Sequence, residues 1–229
     1  MLYAIGDLHL SMKSGKEMDV FGGAWQGYVR KIERGFAHIT DEDTVVLCGD
    51  TSWGLNLGEA LPDFQFLETL PGRKLLLKGN HDYFWDTAAK QLAFFARHNL
   101  AKLSLLHNNA RLIGGAAVCG TRGWFYEEER LAHSEKIFRR ELGRLRASLE
   151  AGRKLTDGEL LAFLHYPPIH SDYRCEEVAG ILGEYGVKRC YYGHLHGRAH
   201  ASAFEGEDGG VSYRLVAADY VDFTPVRVL

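Results

Sequence analysis

Short apolar runs, four or five residues long, recur along the chain at 2–6, 44–48, 74–78, 116–119, 160–164 and 189–192. Several are unbroken rather than alternating, as in Thr44-Val45-Val46-Leu47-Cys48. Unbroken runs of this length suit strands covered on both faces. Segments at 201–204, 211–217 and 225–229 alternate more and predict further strands late in the chain. Between the runs lie patterns of helical period. Residues 25–39 place Tyr28, Ile32, Phe36 and Ile39 on one face, and residues 58–69 do the same for Leu61, Phe64 and Leu67. Residues 127–150 predict a long charged helix with Ile137, Phe138, Leu142, Leu145 and Leu149 on its apolar side. A further helix fits 174–185 and ends at Gly186.

Strands alternating with helices, followed by several closing strands, predict a layered α/β fold with a partly antiparallel region. No internal repeat, low-complexity segment or Pro/Ser-rich linker interrupts the chain, so a single domain over 1–229 is expected. The stretch 10–24, rich in glycine and charge, reads as a loop leaving the first strand, where an open α/β sheet places its ligands.

Composition narrows the partners. A net charge of −3 offers no electrostatic reason for an extended nucleic-acid surface or an anionic membrane. No run approaches the length of a membrane span and no signal peptide is apparent, so a cytoplasmic protein is expected. The four cysteines, Cys48, Cys119, Cys175 and Cys190, form no C-x-x-C pair and read as buried free thiols. Oligomeric state is left open.

The chemistry lies where apolar runs end. Asp7 and His9 close the first run in Gly6-Asp7-Leu8-His9. Four fragments of like character follow: Gly49-Asp50, Gly79-Asn80-His81-Asp82, His165 and Gly193-His194-Leu195-His196. In an extended segment, positions i and i+2 point the same way. Asp7 and His9 are therefore expected to reach one ion together, and His194 and His196 to repeat the arrangement. The preceding glycines are expected to let the backbone turn sharply. Asp50 adds a second carboxylate able to bridge two ions, and Asn80 a neutral amide oxygen. Two divalent ions, two aspartates and a hydroxide leave net positive charge for a phosphate oxyanion. The mixed imidazole and carboxylate set favours Mn, Fe or Zn over Ca or Mg.

In these five motifs the chain resembles the calcineurin-like metallophosphoesterases, and they run from residue 6 to residue 196. The resemblance implies a four-layer α/β/β/α sandwich of two mixed β-sheets flanked by helices. It implies Asp7, His9, Asp50 and His196 around one metal, and Asp50, Asn80, His165 and His194 around the other. The implied cofactors are two divalent transition-metal ions, with Mn favoured. One position departs from the family pattern. Many members continue the second motif as Gly-Asp-x-x-Asp, and the last aspartate orients the histidine after the asparagine. Here that position is Trp53, and Asp82, or a carboxylate elsewhere, is the candidate replacement.

The expected reaction is metal-dependent hydrolysis of a phosphodiester or phosphomonoester by a bridging hydroxide. Asp50, Asn80 and His81 are the catalytic candidates: Asn80 hydrogen-bonds the phosphate and His81 protonates the leaving alkoxide. Arg122, in the Gly-Thr-Arg-Gly-Trp turn, is a candidate for holding a substrate phosphate or, equally, for a surface ion pair. Tyr83, Phe84 and Trp85 fit core packing better than a pocket wall. His170 and His200 are minor candidates for supporting the ligands, while His38, His98, His107 and His133 read as structural. A small phosphorylated substrate is the expected partner. The competing readings are a nuclease of the same fold and a scaffold that has lost catalysis, the latter favoured only by Trp53.

Overall fold

The computed structural model describes residues 1–124, 132–171 and 173–229, with the side chains of 132–134 left out of the second span. In chain order the strands are β1 (Leu2–Ile5), β2 (Thr44–Leu47), β3 (Arg73–Leu76), β4 (Leu103–Leu105), β5 (Ala110–Ile113), β6 (Ala116–Thr121) and β7 (Leu160–Leu164). They continue with β8 (Ile169–His170), β9 (Tyr173–Arg174), β10 (Arg189–Tyr192), β11 (Gly206–Asp208), β12 (Val211–Leu215) and β13 (Val226–Arg227). The helices are α1 (Tyr28–Gly35), α2 (Leu57–Thr69), α3 (Ala88–Arg97), α4 (Ala132–Leu155) and α5 (Glu176–Glu184).

Among the described residues, one sheet runs β13-β1-β2-β3-β4 and another β11-β12-β10-β7-β6-β5, with β8 and β9 forming a small separate ribbon. Both main sheets are parallel in their middle and antiparallel at an edge: β13 against β1 in the first, β11 against β12 and β5 against β6 in the second. They are mixed sheets flanked by helices, as the family resemblance implies.

Alternation within the apolar runs builds the layers. Leu2, Ala4, Val46 and Leu75 point from the first sheet into a middle layer shared with Val118, Leu161, Phe163 and Tyr191 of the second. Their neighbours Tyr3, Ile5, Val45 and Leu47 point outward, onto Tyr28 and Ile32 of α1, Phe64 and Leu67 of α2 and Phe95 of α3. On the far side, Cys119, Leu160, Ala162 and Tyr192 meet Phe138, Leu145 and Leu149 of α4 and Ile181 and Leu182 of α5. A strand with helices on one face and a second sheet on the other needs apolar residues at every position. That is why these runs are unbroken.

Several expected boundaries shift. Residues 25–39 form α1 with short 3₁₀ turns at Gly23–Trp25 and Phe36–His38 rather than one helix. The predicted strand at 201–204 is absent: a 3₁₀ turn covers Gly197–Ser202, and the Ala203 amide returns to the His200 carbonyl. Two alanines in that alternation bury too little to hold a strand in a sheet. The start of the helix expected over 127–150, at 127–131, and the His133 side chain lie outside the described residues. All four cysteines are buried free thiols. No described helix is long and apolar enough to cross a membrane.

Candidate metal centre

Loops at the carboxyl ends of β1, β2, β3, β7 and β10 bring all five motifs together. Asp7 Oδ1 lies 3.3 Å from His196 Nε2, and His196 Nε2 lies 3.2 Å from His9 Nε2. On the other side, Asn80 Oδ1 stands 2.6 Å from His165 Nε2 and 3.0 Å from His194 Nδ1. Asp50 joins the two groups, with Oδ2 3.7 Å from both His9 Nε2 and His165 Nε2. Asp7, His9 and His196, and also Asp7, Asp50 and His165, have ligand atoms within 4.8 Å of one another.

The convergence comes about differently from the extended alternation expected. Asp7, His9, Asp50 and His194 take left-handed backbone conformations, with φ of 60°, 45°, 49° and 75°. Such φ values are costly for non-glycine residues and persist where the surroundings enforce them. The twist at His194 sends it and His196 to opposite groups instead of one ion. Of the preceding glycines, Gly49 alone has the positive φ expected, at 88°. The others serve close approach. A Cβ on Gly79 would overlap the Asp50 carboxylate, and one on Gly193 would overlap that of Asp7.

Charge and hydrogen bonding show what this cluster fits. Asp7, Asp50 and Asp82 are each at most 1% exposed. Burial, reinforced by Asp82 and Asp7, pushes the Asp50 carboxyl well above the usual range. Burial holds His9 well below its ordinary value and brings His165 and His194 down to about 3. His196 shifts the other way. Burial opposes its charge, but Asp7 and a hydrogen bond to Asp219 raise it to about 10. Neutral His165 donates Nδ1–H to the Cys48 carbonyl at 3.0 Å. Its Nε2 lone pair then faces the Asn80 amide oxygen at 2.6 Å. Two acceptors aimed at each other across a carboxylate-rich pocket are the donor set for cations.

Other predicted residues fall into place around this core. Asp82 does not support His81, contrary to expectation. Its carboxylate accepts from four backbone amides, those of Asp50 (3.0 Å), Thr51 (2.8 Å), Ser52 (3.3 Å) and Gly79 (2.7 Å). A carboxylate beneath two crossing loops is better satisfied by their N–H groups than by one imidazole at the rim. His81 donates its backbone N–H to Asp50 Oδ1 at 2.8 Å and keeps its ring half-buried, with Nδ1 3.3 Å from the Tyr83 hydroxyl. Burial, then the charge on His196, lowers its pKa. Phe84 packs in the core and Trp85 against it, whereas Tyr83 is exposed beside His81.

Arg122 stands 3.4 Å from buried Glu141 of α4, and its carbonyl accepts the amides of His165 and Tyr166. An ion pair is present, but its acidic partner is buried rather than at the surface. His200 Nε2 lies 3.2 Å from Asp219 Oδ2, and Asp219 Oδ1 accepts from His196 Nδ1 at 2.8 Å. The His170 ring meets that of Tyr173 at a tilt in the small ribbon, centroids 5.1 Å apart. Sequence reasoning missed Asp219 and Trp25, whose indole meets the rings of His9 and His196 edge-on. Neither carries a motif.

The family model for calcineurin-like phosphoesterases matches residues 2–198. The chain belongs to the calcineurin-like phosphoesterase family. It is a hydrolase of phosphoric esters in a metal-dependent family, and its buried Asp and His residues can hold metal. No curated protein matches the chain in sequence. Solved structures share the fold at low identity. A protein of unknown function, AQ665, from Aquifex aeolicus is 16% identical with a TM-score of 0.50, over 99% of this chain and 94% of its own. The TT1561 protein of Thermus thermophilus is 16% identical with a TM-score of 0.53, over 88% and 85%. The sulfate thiohydrolase SoxB of Thermus thermophilus is 12% identical with a TM-score of 0.54, over 95% of this chain and 51% of that one.

Proposed function

We propose that this phosphoesterase hydrolyses a small phosphodiester or phosphomonoester at a dinuclear centre. Asp7, His9, Asp50 and His196 hold one divalent ion; Asp50, Asn80, His165 and His194 hold the other. The observation that carries this reading is the arrangement of Asp50 between two groups of ligand atoms, 3.7 Å from an imidazole nitrogen in each. Manganese is the favoured occupant, since imidazole with carboxylate suits Mn, Fe or Zn. When bound, the ions supply a water of lowered pKa as nucleophile and offset charge on the phosphoryl oxygens.

The chain's own residues do the rest. Asp50 is fixed from below by the carboxylate of Asp82, which accepts its backbone N–H. The His165 tautomer is set by Cys48, so that Nε2 is free to ligate. Asn80 also bonds the bound phosphate, and His81, at the rim, carries the proton delivered to the leaving oxygen. The Tyr83 hydroxyl beside its Nδ1 orients the ring where other family members use a carboxylate. The net charge of −3 favours small substrates over long nucleic acids.

Metal analysis with a substrate panel tests this reading. About two ions per chain are expected, with EDTA-sensitive turnover of bis(p-nitrophenyl) phosphate or its monoester in manganese and loss of turnover in Asp50→Ala and His194→Ala. Undiminished turnover in either variant, or a protein that takes up no metal, overturns it.

A further inference from the structure

The family match ends at residue 198, yet one side chain at the centre lies beyond it. After β12 the chain leaves its own sheet and crosses to the other. The Gly6 amide bonds the Val216 carbonyl at 2.7 Å, and the Ala218 amide bonds the Gly6 carbonyl at 3.0 Å. Ala217 forms a parallel bridge with Gly6, the residue that precedes Asp7. This crossing delivers Asp219 to the back of the first ligand group. There its side chain is 2% exposed.

Both carboxylate oxygens are used. Oδ1 takes the His196 Nδ1–H at 2.8 Å, and Oδ2 takes the Gly197 amide at 2.9 Å while lying 3.2 Å from His200 Nε2. An imidazole whose Nδ1–H is committed in this way presents Nε2, and His196 Nε2 is the atom that faces Asp7 Oδ1 and His9 Nε2. The Gly197 contact holds the chain just after His196, so one carboxylate restrains both the ring and its backbone. The turn carrying Asp219 is itself anchored, since Val221 returns its amide to the Ala217 carbonyl and Phe223 to that of Ala218.

We infer that Asp219 is a positioning residue of the metal centre, holding His196 so that Nε2 ligates the ion shared with Asp7 and His9. This rests on the dinuclear reading above. Two measurements test it. In metal-free protein, NMR is expected to show an exchange-protected Nδ1–H proton on His196, which Asp219→Ala removes. Manganese titration is expected to show one of two sites weakened about 10–100-fold in Asp219→Ala, with Asp219→Asn intermediate because its amide oxygen still accepts from Nδ1–H. Asp222→Asn, at an exposed position nearby, controls for loss of charge. Should Asp219→Ala fail to fold, Asp219→Leu, which fills the space and has no acceptor, takes the same readouts. An Asp219→Ala or Asp219→Leu variant that keeps the protected proton, or binds both ions as the parent does, overturns the inference alone. A parent protein that binds no metal overturns the dinuclear reading and this role with it.

Discussion

The Trp53 indole lies face to face with the His9 imidazole, ring centroids 4.9 Å apart and planes 25° from parallel. Its ring is also 4.5 Å from that of His81, and the Lys16 ammonium sits 4.9 Å from its centroid. A carboxylate at this position would act on His81 by charge. The indole instead fills space and fixes the plane of His9. Trp53→Ala is expected to lower kcat/KM about 10–100-fold by freeing both rings, and Trp53→Phe to recover much of it. Trp53→Asp should raise the pKa of His81, because a nearby negative charge favours imidazolium. Its acid form then persists to higher pH, and the alkaline limb of the pH–rate profile moves the same way. Unaltered kinetics in Trp53→Ala would remove the indole from the machinery.

Asp82 joins two loops through one carboxylate. With four amides aimed at it, Asp82→Asn leaves donors facing an NH₂ group that cannot accept. The expected cost is about 2–4 kcal/mol of stability, measured by urea unfolding of the metal-free protein. Metal uptake should fall as well, since Asp50 and Gly79 are two of the four donors. A loss below about 0.5 kcal/mol would show that water replaces these bonds at no penalty.

Gly79→Ala separates site geometry from overall stability. The added methyl meets Asp50, the carboxylate that lies between the two groups, rather than the apolar layers. Metal binding is expected to collapse while the far-UV circular dichroism spectrum is kept. Full manganese stoichiometry in this variant would mean that Asp50 has room to move.

Lys74 on β3 is fully buried, with its ammonium against the Leu70 carbonyl. Burial lowers its pKa from 10.5 to about 7. Between those values the unfolded chain binds the proton that the folded chain has shed, so stability attributable to this residue rises with pH. Lys74→Met has no such slope. It should exceed the parent in stability by a margin of the order of 4 kcal/mol near pH 6, shrinking as pH approaches 10. A margin that stays constant with pH would show that the ammonium keeps its ordinary pKa.

The strands flanking the site were legible because a doubly covered strand must be apolar throughout, and β1, β2 and β7 are. The helix α3 was not, since Gln91 and Phe95 are its buried residues and no apolar stripe results. The edge strand β5 pairs on one side and exposes Arg111 and Leu112, so its pattern is equally faint. All seven ligand candidates could be read from motifs, and the family resemblance implied their division between two groups, but the i, i+2 pattern of the residues did not. That division depends on left-handed turns at Asp7, His9, Asp50 and His194 that no local pattern announces. Asp219 was invisible for a related reason: its partner His196 is 23 positions away, and the chain crossing at Ala217 that joins them is tertiary.

That crossing has a mechanical consequence. Asp7, Asp50 and Asn80 hang from one sheet, and His165, His194 and His196 from the other, so an ion held between them rivets the two layers together at their open end. Loading with metal then becomes a structural event: the melting temperature should climb with the logarithm of free ion concentration. Chelation would let this mouth of the sandwich gape while the apolar seam behind it stays closed.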